Sequence, residues 1–271
     1  MNKGNLIRSL TIGTGLLLAL AVPAQAGSDR DVVQFRQPYP LANAKRVAVQ
    51  GRHVGVGASS ARGTDCRFPP ASLSLAPRER AVELREVALN RRTCRAVFER
   101  GVPPRWARGG PQSKEQATSG DKRRRGTASG VQTLATAPQW SGYSRAWYRD
   151  ARTGKVVTQV KDGADWNTRN GCVSGSNLWF LNSADKPGGW FEVSHRWSIV
   201  NNICRYVLSS VNAHFRNNSF TGCSGGPPVD TFYSRVRFIG YADGNIRGSK
   251  SSWNDPSCKD VLIAYYALYR R

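Results

Sequence analysis

His214 is the side chain with the strongest case for acid–base chemistry. It lies in the segment ICRYVLSSVNAHFRN, where strand alternation places it on the polar side with Tyr206 and Arg216. An adjacent antiparallel strand could bring up Asp230 or Glu192. A histidine with an acid partner can transfer protons, and an added arginine suits cleavage of a phosphodiester. The competing interpretation, which an isolated histidine favours, is a solvated strand residue.

The segment TGCSGGPPVD contains a second candidate, Ser224. It resembles the nucleophile loop of chymotrypsin-like proteases, but Cys223 stands where that family has an aspartate. A Ser-His-Asp triad also needs a histidine base. His53 has no matching sequence context, and His214 lies too near in the chain. The segment therefore predicts a disulfide-anchored turn, stiffened by its proline pair, that leads into a strand beginning at Val229.

All six cysteines lie after residues 1–26, the signal peptide predicted in the next paragraph. An even number of cysteines in an exported chain indicates three disulfides. The four C-terminal cysteines allow three pairings. The pairs we expect are Cys66–Cys94, Cys172–Cys204 and Cys223–Cys258. The chain has no C-x-x-C pair and three histidines, so no metal site is expected. It also lacks a glycine-rich phosphate loop and the H-E-x-x-H motif, and no cofactor is expected.

The N-terminus has the three parts of a secretory signal peptide. Lys3 and Arg8 precede an apolar run, and the small residues AQA mark a cleavage site. Residues 1–26 are therefore predicted to be removed, which places the mature chain in the periplasm or outside the cell. No later segment has the roughly 18 apolar residues of a membrane helix.

Composition divides the remaining chain into three parts. Residues 27–108 form a small β-rich region, and residues 109–138 form a basic linker rich in Gly and Ser. Within the linker, KRRR is a candidate processing site. Residues 139–271 contain aromatic and β-branched runs between turn signals, which predict an antiparallel β-sandwich or barrel. The fold class is mainly β, with a disulfide crosslink in the N-terminal part.

The segment GGWFEVSHRWSIV alternates between an apolar and a polar side. Val193, His195 and Trp197 fall on the apolar side, which predicts a buried, hydrogen-bonded histidine. Glu192 and Arg196 fall on the other side.

The formal net charge of +22 favours anionic partners such as acidic polysaccharide, an envelope polymer or extracellular nucleic acid. Exposed aromatic rings can stack on sugars or bases, although most of the tryptophans must fill the core. The residues we expect to bind such a partner are Arg216, Arg235, Arg237, Tyr206 and Trp253.

The C-terminal segment resembles exported bacterial β-rich proteins with paired cysteines, through its strand–cysteine–strand rhythm in FYSRVRFIGYADGNIRGSKSSWNDPSCKDVLIAYYALYRR. That resemblance implies no activity and points to no characterised family. Two hypotheses follow. The first is a secreted, non-catalytic protein that binds anionic polymers or glycans. The second is a small secreted hydrolase, a nuclease or toxin-like domain, that uses His214 with an acidic partner and an arginine.

Overall fold

The computed structural model describes residues 32–54, 65–108, 137–199, 204–221, 223, 226–251, 258 and 261–271. The predicted signal peptide, the KRRR segment, Ser224 and Trp253 lie outside these residues, so the predictions made for them stay predictions.

The described chain consists of strands and one short helix. In chain order these are β1 (Val32–Gln34), β2 (Ala42–Gln50), β3 (Arg52–Val54), β4 (Asp65–Arg67), β5 (Ala71–Leu75), β6 (Ala81–Asn90), β7 (Arg95–Val102), α1 (Arg105–Arg108), β8 (Trp140–Asp150), β9 (Val156–Arg169), β10 (Cys172–Ala184), β11 (Trp190–Ile199), β12 (Tyr206–Asn217), β13 (Val229–Tyr241), β14 (Ile246–Lys250) and β15 (Leu262–Arg270). None of the described helices has the length and apolarity needed to cross a bilayer.

Two antiparallel sheets contain most of these strands. The eight-stranded sheet has the order β10-β9-β8-β15-β6-β7-β2, with β1 also paired to β6. The five-stranded sheet has the order β11-β12-β13-β14-β5, and β3 and β4 pair separately. Both large sheets combine strands from before and after the predicted linker, because β6 pairs with β15 and β5 pairs with β14.

The two large sheets pack against each other through apolar and hydroxyl side chains. Trp166 of β9 is fully buried, with its ring 5.9 Å from that of Phe238 on β13, and its indole nitrogen donates to the Tyr241 carbonyl at 3.0 Å. The hydroxyls of Thr158 and Tyr233 lie 2.7 Å apart across the same interface. The mainly β fold and the antiparallel sandwich predicted from the alternation are confirmed.

The expected disulfide bonds are all present: Cys66–Cys94, Cys172–Cys204 and Cys223–Cys258. The second joins the start of β10, in the larger sheet, to the residue two positions before β12, in the smaller sheet. Each bond removes conformations from the unfolded chain, which favours the folded state. Three disulfides fit a protein of an oxidising compartment outside the cytoplasm.

The prediction that His195 is a core residue is wrong, because β11 is the edge strand of its sheet and leaves His195 solvent-accessible. A bulge in the same strand brings Glu192 to the face of His195. Val193 has no partner on β12, because Glu192 pairs with Phe215 and Ser194 pairs with His214. One extra residue reverses the alternation upstream of it. Glu192 and His195 therefore share a face at the sheet edge, where both are solvent-accessible and hydrogen-bonded to each other.

Candidate functional site

Every second residue of β12 points away from the sandwich core. Val207, Val211 and Phe215 are fully buried, whereas His214 and Arg216, which alternate with them, are partly exposed. This alternation is the one expected of a sheet with one face in solvent. It places the predicted polar side of the segment on the outer face of the five-stranded sheet.

The outer face collects five arginines from four strands. They are Arg196 on β11, Arg216 on β12, Arg235 and Arg237 on β13, and Arg247 on β14. Among the described residues of these strands and β5, Asp230 is the one carboxylate on this face. We call this surface, together with the rings described next, the arginine–aromatic face.

Aromatic rings lie at both ends of this face. Phe191 and Phe232 are 41% and 43% exposed, unusually high for phenylalanine on a folded protein. At the opposite end, the rings of Tyr206 and Tyr241 lie 6.1 Å apart, and the guanidinium of Arg247 sits 5.5 Å above the Tyr241 ring. Exposed rings therefore lie beside the arginines at both ends of the face.

His214, Asp230 and Arg216 form one hydrogen-bonded group on this face. The Nε2 atom of His214 lies 2.7 Å from Asp230 Oδ1. Arg216 donates from Nε to Oδ1 at 2.9 Å and from Nη2 to Oδ2 at 3.3 Å. The imidazole also stacks on the Phe232 ring, with 4.3 Å between the centroids. The pairing of Arg216 with Asp230 and of His214 with Phe232 across β12 and β13 produces this arrangement.

The charge of this group is set by Asp230. Its partial burial raises the pKa, but hydrogen bonds from Arg216 and His214, with their charges, outweigh burial and hold the pKa of Asp230 below its ordinary value. The same contact raises the pKa of the Arg216 guanidinium. Asp230 is therefore ionised at neutral pH. It neutralises one of the five arginines, and no described residue of these strands provides a carboxylate on this face for the other four.

The acid–base capacity of His214 follows from its two ring nitrogens. Nε2 is held by Asp230, and no residue in the described part of the chain hydrogen-bonds to Nδ1. A histidine fixed by a carboxylate through one nitrogen can exchange a proton through the other. The geometry thus permits proton transfer at Nδ1, on an open sheet surface.

Six of the eight residues predicted for catalysis or binding lie together on one face. His214, Asp230, Arg216, Arg235, Arg237 and Tyr206 all lie on the arginine–aromatic face. Glu192 is on the opposite face of the sheet and bonds to His195, so Asp230 is the acid that meets His214. Trp253 is outside the described residues.

Sequence reasoning did not select several residues of this face. The face also contains Arg196, Arg247, Phe191, Phe232 and Tyr241. The bulges in β11 and β13 and the short length of β14 hide the alternation of these strands in the sequence. In β13, Arg235 has a φ of +45° at a bulge opposite Asn212, whose side chain accepts from the Arg235 amide at 2.7 Å. The sequence signal that could have indicated these residues is the occurrence of aromatic residues near arginines in the same strands.

The described residues contain one group with the composition of a metal site, His53 with Cys66 and Cys94. These two sulfurs are bonded to each other, and a disulfide offers no thiolate to a metal. The cluster is therefore explained by the crosslink and a histidine beside it.

Comparison with protein-family models, curated proteins and solved structures gives no match. We therefore infer function from the geometry of the arginine–aromatic face.

Proposed function

We propose that the protein acts outside the cytoplasm as a non-catalytic binder of anionic polymers, through the arginine–aromatic face. One observation carries the proposal: among the described residues, five arginines and a single carboxylate share one exposed sheet face. Guanidinium groups bind phosphate, sulfate and carboxylate through paired hydrogen bonds. Exposed rings beside them can stack on the sugars or bases that carry such groups.

The spacing of the face suits a chain rather than a single small anion. The arginines lie on four adjacent strands, and neighbouring strands of a sheet are about 5 Å apart. A polymer that crosses the strands would therefore meet a charge at successive positions. Acidic polysaccharide, an envelope polymer and extracellular nucleic acid all have this chemistry.

The test is the salt dependence of binding to two polyanions, a single-stranded oligonucleotide and a sulfated polysaccharide. The Arg196→Gln, Arg235→Gln, Arg237→Gln triple variant should lower the slope of log affinity against log salt by about two for the oligonucleotide. The matched control changes Arg95, Arg100 and Arg169 to Gln, which removes equal charge from exposed positions in the other sheet. If both variants weaken binding equally, net charge explains the affinity and the proposal is wrong.

The contact between His214 and Asp230, with Arg216 beside them, favours a second candidate, a small secreted hydrolase. The two functions make opposite predictions for His214→Ala. A binding protein should keep its polyanion affinity in this variant. A hydrolase should turn over RNA, DNA or a glycan, and this turnover should disappear with the imidazole.

A further inference from the structure

A second basic site lies at one end of the sandwich, formed by elements other than the arginine–aromatic face. A pocket of about 370 Å³ opens between the turn after β5, the first residues of β8 and the end of β15. Its lining consists of Pro77, Arg78, Arg80, Gln139, Trp140, Ser141, Arg270 and Arg271. Four arginines line it, and none of these lining residues is acidic.

Arg270 is held in place by backbone carbonyls rather than by an acid. Its Nε donates to the Glu79 carbonyl at 3.2 Å, and Nη2 donates to the carbonyls of Ala76 at 3.1 Å and Gly244 at 2.6 Å. The guanidinium also lies 5.4 Å from the centre of the Trp140 ring. Its third nitrogen, Nη1, is buried without a hydrogen-bond partner among the described residues. A cation fixed in this way at the wall of a pocket is suited to an anion that enters it.

Two further arginines, in the turn after β5, add positive charge to this pocket. Arg78 and Arg80 are exposed, and no residue in the described ranges forms an ion pair with either. The nearby carboxylate of Glu79 accepts a hydrogen bond from the Ala76 amide at 2.7 Å, within its own turn. Burial and then the charge of Arg80 lower the pKa of Arg270, against the opposite effect of Glu79. The arginines therefore repel one another.

We propose that this pocket binds a tetrahedral oxoanion with two negative charges, the group that phosphate and sulfate monoesters carry. Such a group would relieve the repulsion between Arg80 and Arg270 and accept from several guanidinium donors at once. The arginine–aromatic face would bind the length of a polymer, whereas this pocket would bind one charged group. The site stands independently of the proposed function.

Calorimetric titration at constant ionic strength tests the site, with inorganic phosphate and sulfate as probes and acetate as the singly charged comparison. Phosphate or sulfate should bind saturably with one site per chain, and acetate should bind at least about ten-fold more weakly. The Arg78→Gln, Arg80→Gln variant should lose at least about ten-fold in affinity, since it removes two of the guanidinium groups that would donate charge-assisted hydrogen bonds to the anion. Both side chains are exposed in a turn, so the variant should keep the melting temperature of the wild type.

Two controls separate this result from general charge effects and from the proposed function. The Arg95→Gln, Arg100→Gln variant removes the same charge elsewhere and should keep the affinity for phosphate and sulfate. The triple variant of the arginine–aromatic face should also keep it, even if polyanion binding is lost. A preference for phosphate over sulfate would assign a phosphate monoester, and the reverse preference would assign a sulfate ester. Non-saturable heats, or equal losses in the Arg78/Arg80 and Arg95/Arg100 variants, would overturn the proposal.

Discussion

Asp162 is a fully buried carboxylate in the contact between the two sheets. It accepts from the Ser209 hydroxyl at 2.8 Å and from the Trp197 indole at 3.3 Å, both through Oδ1. These hydrogen bonds favour the charged form, but burial outweighs them and raises the pKa of Asp162 to about 8. The folded protein therefore binds this proton more tightly than the unfolded chain, where the ordinary value of 3.8 applies.

The pH dependence of stability follows from that difference. The stabilisation due to the Asp162 proton is complete below about pH 4 and is lost as the pH rises to about 8. Asp162→Asn keeps the Oδ1 acceptor and cannot ionise. We expect its melting temperature to match that of the wild type near pH 4 and to exceed it by at least about 10 °C near pH 8.5. If the difference between the two melting temperatures stays constant from about pH 4 to about pH 8.5, the raised pKa of Asp162 is wrong.

At the scale of single elements, β13 must approach β9 closely for the sandwich to pack. A methyl group on Gly240 would lie 2.8–3.0 Å from the Trp166 ring, closer than side chains pack in folded proteins. Gly240 is therefore required by the tryptophan that faces it.

Gly240→Ala tests this packing. It should lower the free energy of unfolding by about 1–3 kcal/mol, as overpacked core substitutions do. In a Trp166→Phe background the facing ring is smaller, so Gly240→Ala should lower the free energy of unfolding by less. Denaturant unfolding of the four proteins gives the coupling between the two positions. If the double variant loses the sum of the two single losses in free energy of unfolding, contact with the Trp166 ring does not explain the effect of Gly240→Ala.

The Cys172–Cys204 bond crosslinks two elements that belong to different sheets. Replacing both cysteines with serine should lower the free energy of unfolding by about 3–4 kcal/mol, because the closed loop spans 32 residues. Denaturant unfolding measures this loss. Titration of the unfolded, unreduced wild-type protein should find no reactive thiol, and several free thiols would refute the disulfide pattern.

At the scale of the whole molecule, the chain before the predicted linker completes both sheets of the chain after it. Strand β6 pairs with β15, whose residues are nearly all fully buried, and β5 extends the five-stranded sheet at β14. Each disulfide, in contrast, lies within one part of the chain. The two parts are therefore joined by sheet pairing and core packing, and not by any covalent link other than the linker.

This arrangement predicts the outcome of cleavage at the KRRR segment, residues 122–125. If a specific protease site replaces that segment and is cut, the two fragments should separate on a denaturing gel without reductant. They should still co-elute in native size-exclusion chromatography, because separation would expose the faces of β6 and β15. Elution of the fragments as two independent species would contradict this prediction.

The sequence by itself determined the features that depend on local pattern. Alternation in ICRYVLSSVNAHFRN is uninterrupted, so the outward direction of His214 and Arg216 was predictable. The number of cysteines indicated three disulfides, whereas the choice among the three pairings of the C-terminal cysteines came from the tertiary structure. The β character of residues 81–102 was also predictable, although part of that segment has helical spacing.

The tertiary structure alone decided which distant residues meet. Asp230 rather than Glu192 contacts His214, because one unpaired residue at Val193 turns Glu192 to the other face. The pairing of β6 with β15 across the linker places Arg80 beside Arg270, and no local pattern encodes that pairing. Strand alternation depends on neighbours two residues away, whereas strand order, register and bulges depend on the packing of the complete core.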